Sequence, residues 1–108
     1  VMRTVFLTDG AARDLDELYA GQYDQGGSVQ ADRFLDQIQV LLERLGEDAD
    51  RGRPLGDLQA FGLHDARQLR EPPWRIVYRI DETRVFVSLL AREDRSYQSL
   101  LQRRLLDA

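Results

Sequence analysis

The chain has 108 residues, 43% hydrophobic and 31% charged, a size and composition that predict one compact domain over residues 1–108. It contains no cysteine and a single histidine, so we expect no disulfide, no thiol nucleophile, no metal site and no cofactor. No apolar run has transmembrane length and residues 1–7 lack a signal-peptide core, so we expect a cytoplasmic protein without a membrane partner.

The net charge of −4 is unevenly divided along the chain. Residues 1–50 carry 4 arginines and 11 acidic residues, whereas residues 51–108 carry 11 arginines and 8 acidic residues. Every basic residue is an arginine, which binds carboxylate or phosphate through a planar fork, although genomic base composition can give the same bias. The pI of about 4.9 opposes an approach to nucleic acid, except through a locally basic face.

The chain begins with a predicted strand and a predicted helix. Residues 3–7 (RTVFL) are β-branched and aromatic, and Thr8-Asp9-Gly10, which follows at once, is typical of the N-cap of a helix that begins near Ala11. Apolar residues then recur at helical spacing, and Asp14 is assigned with other charged residues to the opposite, outer face. Gly26-Gly27 ends this helix.

A second helix follows, capped by Ser28 and ended by Gly46. The two helices should form an antiparallel hairpin, and residues 47–59 a loop rich in glycine and proline. The residues of the two helices expected in the core are Leu15, Phe34, Leu35, Ile38, Leu41 and Leu42.

The second half of the chain predicts three strands over residues 64–70, 74–80 and 84–91, forming an antiparallel meander. In the middle strand the alternation places Trp74, Ile76 and Tyr78 in the core beneath the helix hairpin. Residues 94–106 predict an amphipathic terminal helix. The expected fold is therefore α+β, in the order β-α-α-β-β-β-α.

Several segments in this order resemble the RelE/ParE superfamily. They are an early "A..DL..LY" helix, a long "F...I...L..L" helix, a Gly/Pro loop, "RQLR", "WRIVYRID" and "VFVSLLAR". Residues 74–80 match the "YRIVYRI"-like strand of that family, with Trp74 in place of the usual Tyr. The resemblance covers almost the whole chain and implies the toxin of a type II toxin–antitoxin system, with growth arrest and plasmid maintenance as its effects.

The superfamily contains two activities on one fold, so the resemblance leaves the target open. ParE-like toxins inhibit DNA gyrase by binding it, whereas RelE-like toxins cleave messenger RNA on the ribosome. The second activity would use Arg67, Arg70, Arg75, Arg92, Arg95 and Tyr97. Because the chain lacks lysine and Tyr97 aligns only loosely, we favour the ParE-like activity. A non-toxic relative that only binds an antitoxin is the third alternative.

The resemblance also implies an antitoxin whose disordered C-terminal segment folds on the toxin, and no sequence-specific DNA binding by the toxin alone. The antitoxin would use a groove along the helix hairpin or the arginine-bearing sheet face. The arginines expected to bind the target or the antitoxin are Arg67, Arg75, Arg79, Arg92, Arg95, Arg103 and Arg104.

Simpler roles exist for several of these residues. Arg75 and Arg79 can be cross-strand partners of carboxylates, and Tyr97 can belong to the core. His64 can be a solvated residue at a strand start, since no second histidine or cysteine accompanies it.

Overall fold

The computed structural model of the chain describes residues 2–54, 66–93 and 97–107. The elements in chain order are β1 (Thr4–Leu7), α1 (Asp9–Glu47), a 3₁₀ turn (Ala49–Arg51), β2 (Arg53–Pro54), β3 (Ala66–Glu71), β4 (Trp74–Asp81), β5 (Arg84–Arg92) and α2 (Tyr97–Asp107). This order confirms the predicted α+β fold and adds the 3₁₀ turn and β2, which the sequence patterns did not indicate. Among the described residues, neither helix has an apolar stretch that could span a lipid bilayer.

The long helix α1 folds back on itself at Gly27. That residue has φ 76° and ψ −167°, a non-helical conformation that glycine adopts readily. The Tyr19 hydroxyl donates to Asp32 Oδ1 at 3.2 Å, whereas residues 13 apart in a straight helix are separated by about 20 Å along its axis. Residues 9–26 and 28–47 therefore form the two arms of the predicted antiparallel hairpin, and Thr8 caps the first arm by accepting from the Ala11 amide at 3.2 Å.

The sheet has the strand order β1-β5-β4-β3-β2. Strands β3, β4 and β5 form the predicted antiparallel meander. Strand β1 differs from the expected antiparallel sheet because it pairs parallel to β5, with Thr4 opposite Arg84. The direction of an edge strand depends on where the intervening elements return the chain, and no local pattern encodes that.

The hairpin packs on one face of the sheet and forms the main core. Of the predicted core residues, six are buried and two are partly buried against them: Phe34, Ile38, Leu41, Trp74, Ile76 and Tyr78, then Leu15 and Leu42. The prediction is wrong for Leu35, which is 38% exposed. Leu35 follows Phe34 by one residue, a rotation of about 100° around the helix, so it lies at the margin of the buried stripe.

A β-bulge lets β5 contribute to both faces of the sheet. Val77 pairs with Leu89 whereas Tyr78 pairs with Val87, so Ser88 is an extra residue in β5. Before the bulge Val85 and Val87 face the hairpin, and after it Leu90 does. Leu89 and Ala91 instead join Val77 and the α2 residue Leu101 in a second buried cluster on the other side of the sheet. The two faces are called here the hairpin face and the α2 face.

Candidate functional site

Two of the predicted site arginines lie on the hairpin face of the sheet. Arg67 donates from Nη1 to the carbonyl oxygens of Asp50 and Gly52, at 3.2 and 3.3 Å, and so holds the turn that follows α1. The Arg92 guanidinium carbon lies 5.8 Å from the centre of the Trp74 ring, which itself is buried. Both contacts are within the protein and support the fold.

Two other predicted arginines lie together on the α2 face. Arg70 of β3 is directly opposite Arg75 of β4, and both bind the Glu93 carboxylate that follows β5. The Arg75–Glu93 distance is 3.4 Å. The hydrogen bond from Arg70, aided by Arg75, lowers the pKa of Glu93 below its ordinary value of 4.5. Glu93 is consequently charged at neutral pH and offsets one of the two guanidinium charges.

The set proposed for RNA cleavage is not gathered in one cleft among the described residues. Arg67 and Arg92 lie on the opposite face of the sheet from Arg70 and Arg75. Arg95 and His64 are outside the described residues, and for Tyr97 only its backbone position at the start of α2 is described. Within the described ranges no group of acidic and histidine side chains could hold a metal ion.

Arg104 of α2 binds the buried carboxylate of Asp14, at the joint between α1, α2 and β5. Its Nη2 donates to Asp14 Oδ1 at 2.7 Å, and its Nη1 donates to Asp14 Oδ2 at 3.0 Å and to the Ser88 carbonyl at 2.5 Å. Asp14 Oδ2 also accepts from the Leu90 amide at 3.0 Å. Arg104, predicted to bind a partner, thus joins three elements at the bulge, whereas the neighbouring Arg103 is exposed.

Asp14 was wrongly assigned to the outer face of the first helix. It is 6% exposed, and it stands at the i+3 position from buried Ala11 and one residue before partly buried Leu15. This spacing belongs to the apolar stripe of the helix. The outer face was expected for Asp14 only because its side chain is polar. A carboxylate within an apolar stripe is a signal for a buried ion pair.

A cluster of aromatic and arginine side chains stands on the α2 face of the sheet, on β1, β4 and β5. Phe6 of β1 stacks on Phe86 of β5, with ring centres 5.5 Å apart and planes at 22°. The guanidinium carbons of Arg79 and Arg84 lie 4.6 and 5.4 Å from the centre of the Phe86 ring. We call these four residues the aromatic–arginine patch. Of these, only Arg79 was expected from the sequence to bind a partner.

An open groove runs between the second arm of α1 and β1. Its volume is about 690 Å³, its apolar lining comes from Met2, Val5, Leu15, Leu35, Ile38 and Leu42, and its polar lining comes from Arg3, Gln39, Glu43 and Glu47. Met2 is 74% exposed and Leu35 is 38% exposed, so both present apolar surface to solvent. We call this feature the hairpin groove.

The fold and the sequence together identify the family of the chain. Residues 5–97 match the family model described as the ParE toxin of the type II toxin–antitoxin system parDE. Because the match covers most of the chain, the chain belongs to this family and is the toxin of a type II toxin–antitoxin system.

Solved structures agree on the fold. The chain is similar to a chain of the toxin–antitoxin complex RelBE2 from Mycobacterium tuberculosis, with 26% identity and a TM-score of 0.65 over 85% of this chain and 99% of that one. It is similar to a chain of the chromosomal ParDE system from P. aeruginosa, with 22% identity and a TM-score of 0.70 over 84% and 96%. A mutant of E. coli RelE in the free state gives 19% identity and a TM-score of 0.50 over 95% and 98%. No curated protein sequence matches the chain.

Proposed function

We propose that this toxin acts by binding DNA gyrase and inhibiting it, as a single domain over residues 1–108 in the cytoplasm, with growth arrest and plasmid maintenance as the consequences. The observation that carries the proposal is the position of Glu93 between Arg70 and Arg75. Two arginines offset by a carboxylate attract a phosphate less strongly, and a carboxylate with a lowered pKa is a poor proton acceptor near neutral pH. Inhibition of gyrase by binding requires neither a phosphate-binding site nor a proton acceptor.

Ribosome-dependent cleavage of messenger RNA is the alternative, and one observation favours it. Arg70 and Arg75 are cross-strand partners on one face of the sheet. If an RNA phosphate displaced Glu93, it would meet two guanidinium groups in a geometry suited to binding an anion. The alternative therefore predicts that Glu93 restrains the activity, whereas the gyrase proposal gives Glu93 only a structural role.

Two assays on one preparation test the proposal. DNA supercoiling and cleavage by purified gyrase are measured with increasing toxin, and messenger cleavage is measured on programmed ribosomes. We expect inhibited supercoiling and intact messenger. Codon-positioned messenger cuts with unaffected gyrase would refute the proposal and establish the nuclease. A chain that affects neither target and does not arrest growth would establish the non-toxic alternative.

Three variants sharpen the assays. Arg75→Ala should abolish RNA cleavage if the chain is a nuclease, and Glu93→Gln should increase it. Arg33→Ala is the matched control, because Arg33 is an exposed arginine on the second arm of α1, on the other side of the sheet from Arg70 and Arg75. If the chain is a gyrase inhibitor, none of the three variants produces messenger cuts.

We also propose that a cognate antitoxin neutralises the toxin by occupying the hairpin groove. The structures of related toxins in complexes with RelB-type and ParD-type partners support a protein partner of this kind. A segment that folds on binding can bury the apolar side chains of the groove, one of which, Leu35, is exposed.

Leu35→Asp tests the groove. It should weaken antitoxin binding at least about tenfold, because a charge would be buried against apolar surface. The unfolding midpoint should change little, since Leu35 is already 38% exposed. The control is Val40→Asp on the same arm, a residue that is 46% exposed and lies outside the groove lining. Equal antitoxin affinity for the two variants and the wild type would exclude the groove.

A further inference from the structure

The aromatic–arginine patch (Phe6, Arg79, Arg84 and Phe86) has three features that the stability of the sheet does not require. Phe6 is 44% exposed although it is a large aromatic residue. Its ring stacks on Phe86, so the aromatic surface is held in a fixed orientation. The guanidinium groups of Arg79 and Arg84 lie over the Phe86 ring, at 4.6 and 5.4 Å from its centre. A rigid aromatic surface with an arginine rim is the composition typical of the energetic centre of a protein interface.

The charges of the patch indicate the chemistry of its partner. Arg84 is paired with Asp81 at 2.9 Å, and their side chains are 54% and 41% exposed. Arg79 is exposed, and among the described residues no carboxylate lies within ion-pair distance of it. Among the described residues the patch therefore has one positive charge without a carboxylate partner, beside an aromatic surface. That suits a carboxylate adjacent to an aromatic or apolar side chain, whereas a nucleic acid needs several cations along its backbone.

The patch is separate from the hairpin groove. Val5 lines the groove, and the next residue, Phe6, belongs to the patch on the opposite face of β1. Two surfaces on opposite faces of one strand can be altered independently, because a substitution in one contacts nothing in the other. The hairpin groove thus suits an apolar segment, and the aromatic–arginine patch suits a segment with acidic and aromatic side chains.

We infer that the aromatic–arginine patch is the surface with which the toxin recognises its target, through an acidic protein segment that carries an aromatic or apolar side chain. The inference rests on the proposed function in that the target used for the measurement is DNA gyrase. Arg79 pairs with the carboxylate of the segment, and the exposed part of Phe6 contacts its apolar side chain.

The test compares patch variants with matched controls on purified gyrase. Arg79→Glu and Phe6→Ala should each raise the dissociation constant for gyrase at least about tenfold, the loss expected at the centre of an interface. Arg33→Glu repeats the charge reversal and Val40→Ala the truncation at exposed positions on the second arm of α1. Both controls should remain within about twofold of the wild type. Unchanged unfolding midpoints ensure that the patch variants are folded.

Growth arrest on expression without antitoxin separates failure of this inference from failure of the gyrase proposal. If the wild type binds gyrase and the patch variants bind equally well, the patch inference is refuted and the gyrase proposal stands. If the wild type arrests growth without binding gyrase, the gyrase proposal fails, and the patch inference stands only if the patch variants no longer arrest growth. If the wild type binds a single-stranded oligothymidylate and Arg79→Glu does not, the inference is refuted in favour of nucleic acid. If the wild type does not arrest growth, the inference is refuted outright.

Discussion

The ion pair between Asp14 and Arg104 gives the sharpest prediction about stability. Arg104→Leu leaves the Asp14 carboxylate, whose side chain is 7% exposed, without its cation. Removing one partner of a buried pair costs about 3–5 kcal/mol. Because the Arg104 side chain is 21% exposed and the Leu90 amide still donates to Asp14, we expect a loss near the lower limit, about 3 kcal/mol. For a domain of about this size, that corresponds to a fall in Tm of roughly 12–24 °C.

The assay is urea unfolding followed by the fluorescence of Trp74, the single tryptophan, which is 5% exposed in the core. Arg103→Leu is the matched control, because Arg103 is an exposed neighbour on the same helix, and its loss should change the free energy of unfolding by less than about 0.5 kcal/mol. A cost below about 1 kcal/mol for Arg104→Leu would refute the reasoning, since it would place the pair in the range of surface ion pairs.

A second substitution tests whether the cost arises from an uncompensated charge. Asp14→Asn should destabilise the wild type, because it removes the carboxylate that Arg104 binds in a bidentate manner. In the Arg104→Leu background the same substitution should recover about 1–2 kcal/mol, because it replaces a buried charge with a neutral amide. A loss of the same size in both backgrounds would show that the pair does not act as a unit.

Gly10 provides an independent check on the position of Arg104. A Cβ at Gly10 would lie 2.7 Å from Arg104 Nη1, which is held by Asp14 and Ser88. Gly10→Ala should therefore destabilise the wild type by about 1 kcal/mol, the scale of a mild steric conflict. In the Arg104→Leu background it should instead be neutral or stabilising by up to about 1 kcal/mol, as alanine is favoured over glycine in a helix. The same sign in both backgrounds would contradict the contact.

Three further predictions concern other contacts. Because the folded-state pKa of Glu93 lies below its ordinary value of 4.5, the contacts with Arg70 and Arg75 stabilise the protein above pH 4.5, and this contribution is lost as the pH falls through the lowered pKa. The free energy of unfolding of Glu93→Gln, measured against pH, should therefore fall less in acid than that of the wild type. Identical acid profiles would count against the contacts. Burial raises the pKa of Tyr78 above 10.0, so its contribution is present below pH 10.0 and is lost as the pH rises through the raised pKa. Tyr78→Phe should cost about 1–2 kcal/mol at neutral pH, because the Ala49 carbonyl loses its donor, and should show less alkaline loss of stability than the wild type. Gly52→Ala should destabilise the protein by at least about 2 kcal/mol, because the added Cβ would overlap Tyr78 Oη. Gly21→Ala is the control, because nothing lies within 4 Å of its added Cβ, and it should stabilise the protein by up to about 1 kcal/mol. Equal effects at both glycines would contradict the packing.

The sequence by itself determined the order of the main helices and strands and most of the main core, whereas the 3₁₀ turn and β2 appeared only in the structure. Periodicity is a local property, so the stripe containing Phe34, Ile38 and Leu41 and the alternation of Trp74, Ile76 and Tyr78 identified buried faces before any partner was known. The break at Gly26-Gly27 was predicted because glycine is a local signal for the end of a helix, and the structure places the positive φ of the turn at Gly27. The family was recognised from the same local segments taken in order.

Only the tertiary structure decided which polar residues act together. The parallel pairing of β1 with β5, the bulge at Ser88 and the pairing of Asp14 with Arg104 all join residues that are far apart in the chain. The bulge changes which residues of β5 face each side, and a one-residue change reverses the alternation on which sequence reasoning depends. The arginines look alike in sequence, and their roles differ because burial and the nearest carboxylate, both set by long-range packing, differ from one arginine to the next.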